Sequence, residues 1–61
     1  MGEKLRAARI AAGLTQLELA KRVGCYQKDI SRWERAEVEP TASVLRKLAD
    51  AIGCLIDDIV P

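Results

Sequence analysis

The sequence predicts an all-α fold: a compact cluster of five short helices forming one domain over residues 1–61. Three observations carry this. Apolar residues recur at helical spacings of three and four positions, so each segment can bury one stripe. Start and stop signals bracket those stripes, with threonines ahead of them and glycines behind. The connections are too short for a parallel bundle, which leaves steeply crossing neighbours as the way to close a core.

The first helix spans about residues 2–12, with Leu5, Ala8 and Ala12 on one face and Gly13 closing it. The second runs roughly over residues 16–23. Thr15 followed by Glu18 is a capping box, in which hydroxyl and carboxylate satisfy two backbone N–H groups reciprocally. Leu17, Ala20 and Val23 supply the apolar stripe of this helix. Gly24 ends it where a left-handed residue is wanted, because glycine has no Cβ to clash there.

The third helix covers about residues 27–35, with Ile30 and Trp33 facing inward. A connector follows, Ala36-Glu37-Val38-Glu39-Pro40, in which the proline pushes Glu39 out of helical geometry. Thr41 caps a fourth helix over about residues 42–52, whose Leu45, Leu48, Ala49 and Ile52 fall at i, i+3, i+4 and i+7. Gly53 stops it. A last short helix, about residues 56–60, offers Ile56, Ile59 and Val60 as closing apolar groups. No internal repeat, linker or low-complexity segment stands out.

Sixty-one residues lie near the lower limit for folding without disulfides or metals, and such a chain buries only about 60% of the surface it exposes when unfolded. The 49% hydrophobic content suffices for a small core, and the absence of Phe makes that core aliphatic. No apolar run is long enough for a membrane span. The charged amino-terminal stretch lacks the apolar segment of a secretory signal. A soluble, cytoplasmic protein is expected. With the chain ending at Pro61, no separate sensor or dimerisation domain is expected to follow.

Cys25 and Cys54 form no CxxC pair and histidine is absent, so no metal or other cofactor is expected, and the thiols read as free and buried. The same absences argue against an enzyme. There is no histidine, no nucleophile elbow, no glycine-rich phosphate loop, and too little chain to build a closed pocket.

Net charge is only +1, but its distribution is uneven. Residues 1–36 carry eight Lys/Arg against four acids, whereas residues 37–61 carry two against five. One reading is a face suited to phosphates on the amino-terminal half. The other is a dipolar surface kept soluble by mixed charge. The stretch from Gly13 to Glu34 favours the first. Gln27, Ser31 and Arg35 lie four apart along one helical row, with Lys28 and Arg32 on the next. Glutamine can contact adenine bidentately and Arg or Lys can contact guanine, so a short helix with this face suits a DNA major groove.

With these residues placed, the chain resembles the phage-repressor and Cro-type helix-turn-helix family (XRE type), whose fold is lambda-repressor-like. The resemblance covers nearly the full length. It rests on LRAAR, GLTQLELAKRVG, Ile30-Ser31-Arg32-Trp33-Glu34 and a proline-led fourth helix, in order and spacing. It implies base contacts by Gln27, Lys28 and Arg32. It implies that Gln16 touches the phosphate backbone and braces the first residue of the recognition helix. It also implies a salt bridge between Arg9 and Glu34, tying the first helix to the end of the third.

Ser31 and Arg35 complete the outward face as candidate backbone contacts, together with Tyr26. Tyr26 stands where the family has a capping Ser or Thr, and its ring either lies against the sugar-phosphate backbone or is simply exposed. Trp33 shares a face with Ile30 and is read as core. Ala36 replaces a glycine common after the Trp-Glu-Arg ending, so the turn there differs or is strained. Glu37 and Glu39 stand where relatives carry basic or amide residues, and Leu55 stands where a capping Ser is common. The leading expectation is a sequence-specific transcriptional regulator, a repressor, that binds double-stranded DNA as a homodimer. Ile56, Ile59 and Val60 serve either the dimer surface or the monomer's own core. The alternative is a bridging or antitoxin-type interaction module of the same fold, favoured by the near-zero net charge and the acidic connector.

Overall fold

Local hydrogen bonding sets where each element starts and stops in the computed structural model, which describes residues 2–60. Among these residues are four α-helices, α1 (Glu3–Ala11), α2 (Gln16–Val23), α3 (Gln27–Glu34) and α4 (Ala42–Ile52), and a 3-10 turn, Ile56–Asp58. Thr15 forms the capping box with Glu18. Its hydroxyl accepts from the Glu18 N–H at 3.0 Å, and its own N–H donates to the Glu18 carboxylate at 2.9 Å. The Thr15 N–H, and after it the Thr15 side chain, hold the Glu18 carboxyl below its ordinary pKa, with Arg22 and Lys21 adding a smaller pull. The Thr41 hydroxyl accepts from the Val44 N–H at 3.3 Å and opens α4.

Four chain reversals use one device. The first or second residue after the helix takes a positive φ, and the next N–H reaches five residues back to a helix carbonyl. These bonds are Leu14 to Arg9, Cys25 to Ala20, Glu37 to Arg32 and Cys54 to Ala49, at 3.0 to 3.1 Å. The left-handed residues are Gly13, Gly24, Ala36 and Gly53. Ala36, with φ of 58°, is the only non-glycine among the described residues with positive φ. A Cβ in that conformation costs about 1 kcal/mol, so the alanine there carries the strain its departure from glycine implies.

The expected fifth helix is a 3-10 turn, not an α-helix. Ile59 leaves helical geometry at φ of −121°. Two features of the sequence disfavour continuation: Val60 is β-branched, and it precedes Pro61, which disfavours the α region at the residue before it.

α2 packs on α3 and α4, α4 packs on the 3-10 turn, and α1 packs on both α3 and that turn. The molecule measures 22 × 20 × 19 Å, so no axis is long. The buried apolar residues are Leu5, Leu14, Leu19, Ala20, Ile30, Leu48, Ala49 and Ile59. Ile59 therefore closes the monomer's core and is not available to a dimer surface.

Two expected faces are corrected. Leu17 is 47% exposed, and the buried stripe of α2 is Leu19 and Ala20 with Val23 half-buried. Spacing by three drifts around a helix, whereas 16, 19, 20 and 23 hold one face, with Gln16 as its polar member. On α1, Ala12 is exposed and Arg9 is buried with Leu5 instead. Spacing by four keeps residues 5 and 9 on one side.

An internal repeat is also present. Leu19, Ala20, Gly24, Cys25, Asp29 and Ile30 recur, 29 residues on, as Leu48, Ala49, Gly53, Cys54, Asp58 and Ile59. Six of the eight buried apolar residues belong to these two copies. The copies share backbone geometry as well. Gly24 and Gly53 both sit at φ of 85°, and Asp29 and Asp58 each accept the N–H three residues earlier, from Tyr26 at 3.1 Å and Leu55 at 3.0 Å.

Candidate nucleic-acid interface

α3 meets the core through Ile30, fully buried, and Trp33, half-buried. Its opposite side leaves Gln27, Lys28, Arg32 and Arg35 exposed, with Ser31 half-buried between the rows. Gln27, Lys28 and Arg32 thus share an outward face one to two turns long. Together they present amide, ammonium and guanidinium donors, the groups that can meet base edges or phosphates.

Glu34 fixes the far end of this helix. Its Oε2 accepts from Arg9 Nε at 2.6 Å, and its Oε1 accepts from Arg9 Nη2 at 3.1 Å and from Gln16 Nε2 at 3.2 Å. Arg9 Nη1 donates to the Leu14 carbonyl at 2.9 Å. The two charged side chains are 10% and 3% exposed, so this is a nearly buried, bidentate pair in which each guanidinium nitrogen makes a hydrogen bond. The hydrogen bond to Glu34 raises the Arg9 pKa above its ordinary value, against an opposing effect of burial. One carboxylate thereby joins α1, the start of α2 and the end of α3. Gln16 stands at this junction, half-buried, with its amide on Glu34 rather than on the start of α3.

Gly2 explains how α1 comes so close. A Cβ on Gly2 would lie 2.0 Å from the Glu34 carbonyl oxygen, so only glycine fits between the two backbones. Nothing in the periodicity of the sequence announces that contact.

At the near end, the Tyr26 backbone is extended and its side chain makes no capping hydrogen bond. Asp29 performs the reciprocal half of the cap by accepting the Tyr26 N–H. Pairing N-cap with the third helical position would have identified Asp29 from sequence. The Tyr26 ring is 72% exposed, with the Lys28 ammonium 5.5 Å from its centroid. Arg35 Nε lies 2.8 Å from the Glu37 carboxylate, an exposed pair that is cheaply exchanged for another anion.

Cys25 and Cys54 are free thiols, half-buried. Burial pushes both above their ordinary pKa, with Asp29 and Asp58 adding to it, which favours the thiol over the thiolate. Among the described residues no cluster of His, Cys, Asp or Glu could hold a metal, and no helix is long and apolar enough to cross a membrane.

This geometry has close parallels. The chain is 42% identical over 57 residues to the repressor protein C2 of Salmonella phage P22, covering 93% of this chain and 26% of that relative. A second relative, from Pyrobaculum aerophilum, is 40% identical over 52 residues, covering 85% of this chain and 21% of its own length. The chain thus spans about a quarter of the curated relatives it matches. The crystal structure of the P22 c2 repressor in complex with synthetic operator 9T superposes with a TM-score of 0.88 at 39% identity, covering 97% of this chain and 89% of that one. The solution structure of the DNA-binding domain of the same repressor gives a TM-score of 0.89 at 40% identity, covering 95% and 76%. The helix-turn-helix family pattern matches from residue 5 to residue 59, and the chain belongs to that family.

Proposed function

We propose that this chain is the DNA-binding domain of a transcriptional repressor, a cytoplasmic protein that reads double-stranded DNA with α3 in the major groove. Gln27, Lys28 and Arg32 contact base edges. Gln16, Tyr26, Ser31 and Arg35 contact the sugar-phosphate backbone. The observation that carries the reading is the exposed Gln27-Lys28-Arg32 face on a helix clamped at its far end by Glu34. The fit over 97% of the chain to a repressor solved with operator DNA supports it. The chain works by binding rather than by catalysis.

One such helix reads only a few base pairs, so two copies on a pseudo-palindrome, about 34 Å apart, give the specificity a repressor needs. Ile56 and Val60, both half-buried, remain as the candidate apolar contacts between copies. A selection from random duplex oligonucleotides at stated salt tests the whole reading, because phosphate contacts make apparent affinity salt-dependent. Enrichment of a two-fold symmetric site is expected. No enrichment at low salt would overturn the reading in favour of the interaction module.

A further inference from the structure

The Lys28 side chain rests at one end of the outward face of α3. Its ammonium sits 5.5 Å from the centre of the Tyr26 ring, at the amino-terminal end of the helix. Two physical effects hold it there. A cation over an aromatic face is attracted by the ring's quadrupole. The next residue on the Lys28 row, Arg32, carries the same charge one turn along, and like charges at i, i+4 repel. Lys28 therefore leans away from Arg32 and toward Tyr26.

The ring is available for this because it has no structural duty in the fold. Asp29, not the tyrosine side chain, caps α3, and the ring is 72% exposed, outside the core. In the second copy of the repeat, Asp58 caps in the same way, but the counterparts of Tyr26 and Lys28 are Leu55 and Asp57. The backbone design needs neither a ring nor a cation at these places. The pair belongs to what is particular to α3.

We infer that Tyr26 is a positioning residue for base readout: its ring parks the Lys28 ammonium at the start of α3 and so determines which base pair Lys28 reads. This rests on the proposed base contact of Lys28. The ring face acts through Lys28, whereas the phenol hydroxyl is the part that reaches a phosphate. The two roles separate by substitution. Tyr26→Phe keeps the face and loses the hydroxyl. Tyr26→Leu loses both and keeps an apolar side chain there.

The test compares wild type, Tyr26→Phe, Tyr26→Leu, Lys28→Ala and Tyr26→Leu/Lys28→Ala on the selected site and its single-base variants, at fixed salt. Lys28→Ala is expected to flatten preference at one base pair. Tyr26→Leu is expected to lower discrimination at that same pair by about two- to fivefold, with no further loss in the double variant, and Tyr26→Phe is expected to retain it. In the free protein, the Lys28 side-chain methylene protons should show an upfield ring-current shift that Tyr26→Phe keeps and Tyr26→Leu abolishes. If Lys28→Ala alters base preference and Tyr26→Leu does not, the pairing is wrong and the base contact stands. If Lys28→Ala leaves every preference unchanged, the base contact and the pairing both fall. If Tyr26→Leu weakens all sequences alike, the ring serves the backbone only and the inference is overturned.

Discussion

The α2–α3 segment and the α4–turn segment are two solutions built on one pattern. Both run Leu-Ala, a half-buried aliphatic, a left-handed glycine, a half-buried cysteine, an aspartate cap and a buried isoleucine. Their shared positions are the scaffold: six of them supply most of the core, and the rest shape the turns. Their unshared positions are the exposed and half-buried ones. Where α3 has Tyr26, Gln27 and Lys28, the second copy has Leu55, Ile56 and Asp57. After the isoleucine, Ser-Arg-Trp-Glu continues α3 as a helix with a polar face, whereas Val60-Pro61 follows Ile59. The same turn chemistry thus delivers an exposed polar helix in one place and a core plug in the other. What separates them is mostly residues outside the buried core, although Trp33 and Ile56 pack against it.

If the copies are equivalent as scaffold, Ile30→Ala and Ile59→Ala should each cost about 2–5 kcal/mol, the range for truncating a fully buried isoleucine. Urea unfolding would measure both. A near-neutral Ile59→Ala would break the equivalence and show the turn to be dispensable. Next in size is the clamp that only the first copy possesses. Arg9→Met should cost about 3 kcal/mol, because it leaves Glu34 buried and uncompensated. Arg9→Met/Glu34→Leu should recover part of that loss in the same assay.

The reversals offer a finer comparison. A Cβ on Gly24 meets nothing within 4 Å, so Gly24→Ala should cost only the left-handed backbone penalty of about 1 kcal/mol. Ala36→Gly should do the opposite and raise stability by up to about 1 kcal/mol, less the extra freedom glycine has when unfolded. Equal thermal midpoints for wild type and Ala36→Gly would contradict the strain at that turn.

The smallest effect is electrostatic. The Glu18 carboxyl titrates below its ordinary value of 4.5 in the folded state, so its contribution is complete above that pH and is lost as pH falls through the depressed value. The gap in thermal midpoint between wild type and Glu18→Gln should hold from pH 7 to about pH 5 and shrink below. A gap that stayed constant to pH 2 would place the stabilisation elsewhere.

Much of this was legible in the chain. Thr15, Glu18, Gly24, Thr41 and Gly53 each announce a boundary through local chemistry that tertiary structure does not override. The faces were harder. Leu17 and Leu19 are equally apolar, and only packing against α3 and α4 decides which is buried. The Arg9–Glu34 bridge was implied by the family resemblance alone, because its partners lie 25 residues apart and nothing in the local pattern pairs them. Gly2 makes an approach between backbones, which leaves no pattern in side-chain type. The repeat was written in the letters but diluted, since half of its positions differ. The outward set of Gln27, Lys28 and Arg32 was readable because helical spacing places them together once Ile30 and Trp33 are turned inward.

The central claim is that this outward face reads bases while Gln16, beside the Glu34 clamp, holds the backbone. A binding titration of wild type, Arg32→Ala and Gln16→Ala on the selected duplex and its single-base variants tests it most directly. Arg32→Ala should lose about 1–3 kcal/mol of discrimination at one base pair and leave the others intact. Gln16→Ala should weaken every sequence alike. If neither substitution changed affinity, or if Arg32→Ala weakened all sequences equally, α3 would not be reading DNA in the way described.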